Sequence, residues 1–242
     1  MKLRIDIVTL FPEAIRPYLA ASILGKAQER GLVFIKVHNL RSFSQDRYRT
    51  VDDYPFGGGP GMVLKPEPLV RAVRFISEYT QSQPLVIVTS PQGELFTQSI
   101  ARELAAKNHL LILCGRYQGI DERVIEITGA REISIGDYVL SGGELPALVI
   151  VEAVARLIPG VLGDEESLRY DSFSEWVFGP PQYTRPRVFC GLAVPEVLLS
   201  GNHALIEKWR KEKALEKARK VRPDLFQHPA LHPPCERRKG VV

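Results

Sequence analysis

Ser134–Gly163 reads SIGDYVLSGGELPALVIVEAVARLIPGVLG, and the fold is read outward from it. A short apolar segment meets the break Ser141-Gly142-Gly143. Pro146 then opens an apolar run broken only by Glu152 and Arg156. Pro146 suits a first helical turn, where its missing N–H and fixed φ do no harm. Glu152 and Arg156 are four apart, so a helix places them on one face. A Gly-Gly pair ahead of a buried helix lets a ligand approach the backbone closely. The other reading is a tight loop before a core helix, with Arg156 paired to Glu152.

Upstream, the pattern repeats. Leu3, Ile5 and Ile7 alternate with Arg4 and Asp6, so residues 2–9 read as a strand. Pro12 starts a helix expected to end near Gly31, and Val33–Val37 is a second strand. Leu69–Tyr79 fits a helix. Leu85–Thr89 is a β-branched run expected to stop at Ser90-Pro91-Gln92-Gly93. Thr97 caps a helix to about Lys107. Leu110–Cys114 is a strand stopped by Gly115, and Ile133 and Ile135 lie in another that ends at Gly136. Apolar strands that end in Gly- or Pro-containing loops, with helices between, belong to an α/β fold with a mostly parallel sheet. Such sheets bind ligands at the carboxyl ends of their strands. The loops at 90–93, 115–119 and 136–143 are therefore expected to share one pocket.

Between Arg41 and Lys65 the periodicity dissolves into RSFSQDRYRTVDDYPFGGGPGMVLK. A loop this long inside a compact domain is usually functional or disordered. Gly57, Gly58, Gly59 and Gly61 permit close backbone approach to a flat or charged ligand. No Gly-Lys-Ser/Thr ending follows, so this is not a phosphate loop.

Composition bounds the rest. The 242 residues suffice for one large or two modest domains, and 45% hydrophobic with 25% charged residues is ordinary for a globular protein. The net charge of +4 is uneven: residues 201–242 carry 11 Lys/Arg against 5 Asp/Glu. That excess points to a polyanionic partner, or else to a solvated helix face. Cys114, Cys190 and Cys235 are far apart, which fits a reducing, cytoplasmic setting and neither a disulfide framework nor a zinc site. MKLRIDIVTLF lacks a signal-peptide core, and Glu152 interrupts the best candidate for a membrane span. After Gly163 the grammar changes. Residues 164–187 are polar, aromatic and proline-rich; Asn202 caps a basic helix with Leu205, Trp209 and Lys213 at spacing four; and 223–242 reads as a loosely ordered tail.

Taken together, VTLFPE (8–13), DRYRTVDDYPFGGGPGMV (46–63), SPQG (90–93), GRYQGIDERV (115–124), SIGDYVLSGGELP (134–146), RLIPGVLG (156–163), DSF (171–173), YTRP (183–186) and LLSGNHA (198–204) resemble one family. It is the bacterial tRNA (guanine-N1)-methyltransferases that modify guanosine 37, the TrmD family of the SPOUT superfamily. Each motif alone is weak; their joint occurrence in order is specific.

The resemblance implies a trefoil-knotted α/β methyltransferase domain over 1–162, a linker over 163–175 and a small basic helical tRNA-binding domain over 176–242. It implies S-adenosylmethionine as cofactor, tRNA as substrate, no membrane, and a homodimer with composite active sites. The cofactor residues it implies are Ser90, Pro91, Gln92 and Gly93; Gly115, Arg116, Tyr117 and Gln118; and Ile135, Gly136, Tyr138, Leu140, Ser141, Gly142, Gly143 and Pro146. Asp171 matches the family's general base and Arg156 its arginine for charge on guanine O6. Without the family, Asp171 reads as a capping residue.

For RNA, the candidates are Arg49, Asp52, Gly57, Gly58, Gly59 and Gly61 near the target base, with Asn202 and His203 as further contacts. Magnesium is implied too, but no carboxylate cluster identifies its site. Two positions depart from the family pattern: Gln118 stands where Glu is usual, and Tyr54 where Arg is common. The alternatives are a knotted tRNA-binding protein without catalysis and a ribose 2′-O-methyltransferase.

Overall fold

The computed structural model describes residues 2–163, 170–174 and 176–226. The chain divides into two compact units, 1–163 and 164–242. Unit 1 is a five-stranded parallel sheet in the order β2-β1-β6-β5-β7. The strands are β1 (Leu3–Thr9), β2 (Val33–Asn39), β5 (Leu85–Leu95), β6 (His109–Cys114) and β7 (Arg131–Ser134); β3 (Asp52–Asp53) and β4 (Val63–Leu64) form a small antiparallel pair. The helices of this unit are α1 (Pro12–Leu19), α2 (Ser22–Glu29), α3 (Pro66–Thr80), α4 (Gln98–Ala105), α5 (Arg123–Thr128) and α6 (Glu144–Ala155).

Alternation sorts the strand residues into two cores. Leu3, Ile5 and Ile7 join the apolar faces of α1, α2, α4 and α6 on one side of the sheet. Val8, Val86, Val88, Leu111 and Leu113 meet α3 and α5 on the other. Strands covered on both faces are apolar throughout, which is why β6 could be read as a buried run.

Two expected elements are built differently. The helix expected from Pro12 to Gly31 is two helices. Ser22 adopts a left-handed φ of 52° that redirects the chain, and the Gln28 side chain donates to the freed Leu19 carbonyl at 2.7 Å. Nor does Ser90-Pro91-Gln92-Gly93 end β5. Thr89 and Glu94 both pair with Ile133, so residues 90–93 bulge out and the strand resumes beyond them. Thr97 caps α4 as expected, accepting from the Ile100 amide.

Unit 2 contains a short hairpin, β8 (Val188–Phe189) with β9 (Leu192–Ala193), and the helix α7 (His203–Val221). Asn202 caps α7 through the Leu205 amide at 3.2 Å. Of the expected tail, Pro223–Phe226 is a 3₁₀ turn and 227–242 lies outside the described residues.

One buried charge ties three strands of the sheet together. Asp6 on β1 is fully buried and accepts from Arg4 Nε at 2.6 Å, His38 Nε2 at 2.6 Å on β2 and His109 Nε2 at 2.9 Å on β6. The Ser82 hydroxyl meets the other ring nitrogen of His109. Burial pushes the Asp6 carboxyl up, but the bonds from His109, His38 and Arg4 outweigh it and hold the group well below the usual carboxylate range.

A depressed folded pKa contributes stability above the unfolded value of about 3.9, and that stability is lost as pH falls toward the folded value. Asp6→Asn is therefore expected to cost about 3–5 kcal/mol at pH 7, since it strands buried partners of a removed charge. The difference from wild type should narrow below about pH 4. Chemical denaturation at pH 7 and pH 3 reads both effects; a penalty independent of pH would exclude the charge as its cause.

Candidate functional site

The bulge after Thr89, the turn after Cys114 and the loop after Ser134 all leave the carboxyl edge of the sheet. They line one cavity of about 310 Å³. Ser90, Pro91 and Gln92 come from the first, Gly115, Arg116, Tyr117 and Gln118 from the second, and Ile135, Gly136, Tyr138, Leu140, Ser141, Gly142 and Gly143 from the third, with Pro146 behind them. The expectation that three loops share one pocket is met. Gly93 is the exception. Its Cα packs against the backbone of Glu132 and Ile133 in β7, so it serves the bulge rather than the cavity wall.

The seat of α6 shapes this cavity. The Gly143 amide donates to the Gly115 carbonyl at 2.8 Å, and a Cβ on Gly143 would lie 2.8 Å from the Gly115 nitrogen and still closer to Thr89 Oγ1. The next residue, Glu144, carries a buried carboxylate. Thr9 Oγ1 at the end of β1 donates to it at 2.7 Å, and Arg116 approaches it at 3.5 Å. The Arg116 guanidinium also lies 4.7 Å over the Phe11 ring. Burial, and after it the Glu144 charge, pushes the neighbouring Cys114 thiol up, so Cys114 is a protonated core residue. Sequence reading missed Thr9, Thr89 and Glu144. The available signal was a polar residue at the end of an apolar strand or at the start of an apolar helix.

Gly142 lines the cavity, and on the side where a Cβ would project it meets the Arg116 and Glu144 side chains.

The glycine loop is attached to the same wall. The Gln118 amide donates to the Met62 carbonyl, the Leu64 amide to Gly119 and the Asp121 amide to Leu64, each at 3.0 Å. Gly57, Gly58, Gly59 and Gly61 all take φ between 78° and 113°, where a side chain is strained. Phe56 beside them is 97% exposed, and Tyr48 and Tyr54 are exposed as well. Asp52 lies in β3, paired with Leu64, and Arg49 takes a left-handed φ of 54° in a turn gathered by Asp46. Bonds from Ser44 above all, then from Thr50 and Tyr48, hold the Asp46 carboxyl at about 2.

Of the two residues expected to do chemistry, one belongs to each unit. Arg156 is the C-cap of α6, whereas the cavity meets that helix at Pro146. Ten residues of helix separate them by about 15 Å. Asp171 belongs to unit 2, in a turn where the Ser174 hydroxyl donates to its carbonyl at 2.7 Å. The turn is packed by edge-on ring pairs, Tyr170 with Trp176 and Phe173 with Phe178. The residues after Asp171 form a turn in which the Ser174 amide also donates to the Asp171 carbonyl, at 3.3 Å. Asn202 spends its side chain on capping α7, and His203 beside it is exposed. Among the described residues no cluster of His, Cys, Asp and Glu is arranged to hold a metal ion, and no helix is long and apolar enough to cross a membrane.

A family model described as tRNA (Guanine-1)-methyltransferase TrmD matches residues 3–228. The chain belongs to this family. Among its relatives is a tRNA (guanine-N(1)-)-methyltransferase of Dictyoglomus turgidum, 58% identical over 229 residues that cover 95% of this chain and 92% of the relative. One of the same name from Moorella thermoacetica is 52% identical over 232 residues, 96% of this chain and 93% of the relative. The family's motifs in this chain fall on the cavity loops, on the glycine loop tied to them, and on the Asp171 turn.

The two loop glycines have different neighbours, so their substitutions should differ. A Cβ on Gly143 meets backbone that cannot yield, whereas one on Gly142 meets side-chain ends that can. Gly143→Ala is expected to lower stability by roughly 1–3 kcal/mol, as overpacking does, and Gly142→Ala by less. Urea denaturation of the two variants checks the order; equal losses would contradict this account of the α6 seat.

Proposed function

We propose that this chain transfers a methyl group from S-adenosylmethionine to N1 of guanosine 37 in tRNA. The observation that carries the reading is the family match over 3–228 together with a cavity at the carboxyl edge of the sheet, formed by the motif loops. The cavity fits the cofactor. It is within the size range of small-molecule sites, and its glycine-containing loops offer amides and carbonyls able to read adenine and the amino-acid end. When bound, S-adenosylmethionine supplies a methyl on a sulfonium, suited to in-line displacement. A trefoil knot in residues 1–162, with 163–175 as linker and 176–242 as the RNA-binding part, belongs to the same reading, as does a cytoplasmic setting.

Guanine N1 carries a proton and is a poor nucleophile. Asp171 is assigned the removal of that proton. A free Asp has a pKa of about 3.9, so loss of the proton before methyl transfer is unfavourable, and its removal is coupled to the transfer. Negative charge then builds on O6, where Arg156 is assigned to stabilise it. The base itself must be extruded to reach the pocket. The aromatic, glycine-rich loop 46–63 is assigned to guard it, with Arg49 and Asp52; the exposure of Tyr48, Tyr54 and Phe56 supports this reading. The lysines and arginines of α7 supply phosphate contacts that tolerate sequence. Magnesium, which the family implies, is assigned no residue of this chain.

A homodimer belongs to the same reading, and two features of α6 support it. Arg156 sits about 15 Å along α6 from the cavity. Leu145 and Val149 on that helix are 59% and 45% exposed, and Val139 and Leu140 beside it are exposed too. An apolar face of this kind is expected to be covered. We assign the cover to a second copy, which brings Arg156 and Asp171 of the two copies to shared sites.

Methylation of tRNA transcripts with guanosine 37 present or replaced, followed by digestion and mass spectrometry of the modified nucleoside, tests the reaction. N1-methylguanosine at position 37 is expected; a ribose 2′-O-methyl product, or none, would refute it. Arg156→Ala is expected to slow single-turnover methylation by about 10²–10³-fold while tRNA affinity changes little, because the charge it meets exists only in the transition state. An unchanged single-turnover rate would reduce Arg156 to a helix-capping side chain.

A further inference from the structure

Unit 2 holds a second cavity, of about 440 Å³, that methyl transfer leaves without a role. Val194, Leu198 and Ile206 give it an apolar floor, and Arg185, Arg187 and Arg210 contribute three guanidinium groups. Tyr183 also lines it; the ring is half exposed and rests against Trp209, with centroids 6.2 Å apart. Arg210 is itself steadied, its guanidinium 5.7 Å over the Tyr170 ring. None of the residues lining this cavity carries a carboxylate.

Each half of this lining narrows the ligand. Three permanently charged guanidinium groups in a lining that holds no carboxylate call for an anion, and their forked donors match phosphate oxygens. A free inorganic anion makes no use of an apolar floor or an open tyrosine face. A small apolar ligand makes no use of three cations. A nucleotide within an RNA chain uses both, because its base stacks on aromatic and apolar surface while its phosphates meet arginine. The YTRP motif at 183–186 supplies two members of the lining, Tyr183 and Arg185, so this cavity also accounts for a motif that the transfer chemistry leaves idle.

We propose that this cavity receives an unpaired nucleotide of the tRNA other than the methylated guanosine, with its base on Tyr183 and the apolar floor and its phosphates among Arg185, Arg187 and Arg210. The inference rests on tRNA being the substrate. Such a contact anchors the substrate at a second point and so fixes which guanosine reaches the transfer site.

Full-length protein and fluorescently labelled tRNA transcript test it by anisotropy titration at several salt concentrations. Tyr183→Leu is expected to weaken binding at least about five-fold, as loss of base stacking does, and Tyr183→Phe to restore it. Arg187→Gln, at an exposed position away from the packed rings, is expected to lower the slope of log affinity against log salt by about 1. A tRNA carrying 4-thiouridine should photocrosslink to the peptide 181–187. Affinities within two-fold of wild type for both Tyr183→Leu and Arg187→Gln, beside a wild type that methylates normally, would overturn the cavity's role and leave the methyl-transfer reading standing. A wild type unable to bind tRNA would overturn both.

Discussion

The close seat of α6 on the carboxyl edge of the sheet is the constraint on which the site depends. Gly143 brings the helix start so near Thr89 and Gly115 that no side chain fits. Glu144 then reaches Thr9 on β1 and Arg116 on the turn after β6. A carboxylate at a helix N-terminus is favoured by the amides and dipole there, which offsets part of the cost of burying it. One helix start thus fixes the end of β1, the 115–118 turn and the 136–143 loop relative to one another. The turn and the loop are two of the three segments that line the cavity.

The cavity is lined by loops of unit 1 that carry the family's motifs. Of the side chains assigned to chemistry, Arg156 is at the far end of α6 from the cavity and Asp171 belongs to unit 2. The glycine loop is tied to a wall of the cavity by hydrogen bonds between residues 62–64 and 118–121. Gln118 is at that junction, its amide bonded to Met62 and its side chain beside Gly61. The Glu usual in the family would place a charge there; this chain has a neutral amide.

Away from the site, the Asp6 cluster does a different job. It joins β1, β2 and β6 through one carboxylate and lines no part of the cavity. Two histidines around an aspartate invite a reading as a metal centre or proton relay. Here both rings present Nε2 to an acceptor already bonded to Arg4. That is the geometry of a satisfied buried ion, whose worth is structural.

The sequence by itself determined the layered α/β character, because Leu85–Thr89, Leu110–Cys114 and the segment of Ile133 and Ile135 are apolar runs of strand length followed by Gly- or Pro-containing loops. It determined the caps at Thr97 and Asn202, and through its ordered motifs the family. It also placed the pocket-forming loops, since the ends of parallel strands are where loops converge. Other features rest on contacts between residues far apart in the chain, which no local pattern encodes. Thr9 meets Glu144 across 135 residues, and Asp6 meets His109 across 103. Ser90–Gly93 looks like a strand terminator, and becomes a bulge because β7 pairs again with Glu94 and Leu95. Pro12 to Gly31 has the length of one helix, and is two because Ser22 turns the chain to fit the core. Gly93 reads as a ligand-facing glycine. Only the packed structure shows its neighbour to be β7, because a missing Cβ looks the same in sequence whether a ligand or the protein itself fills the space.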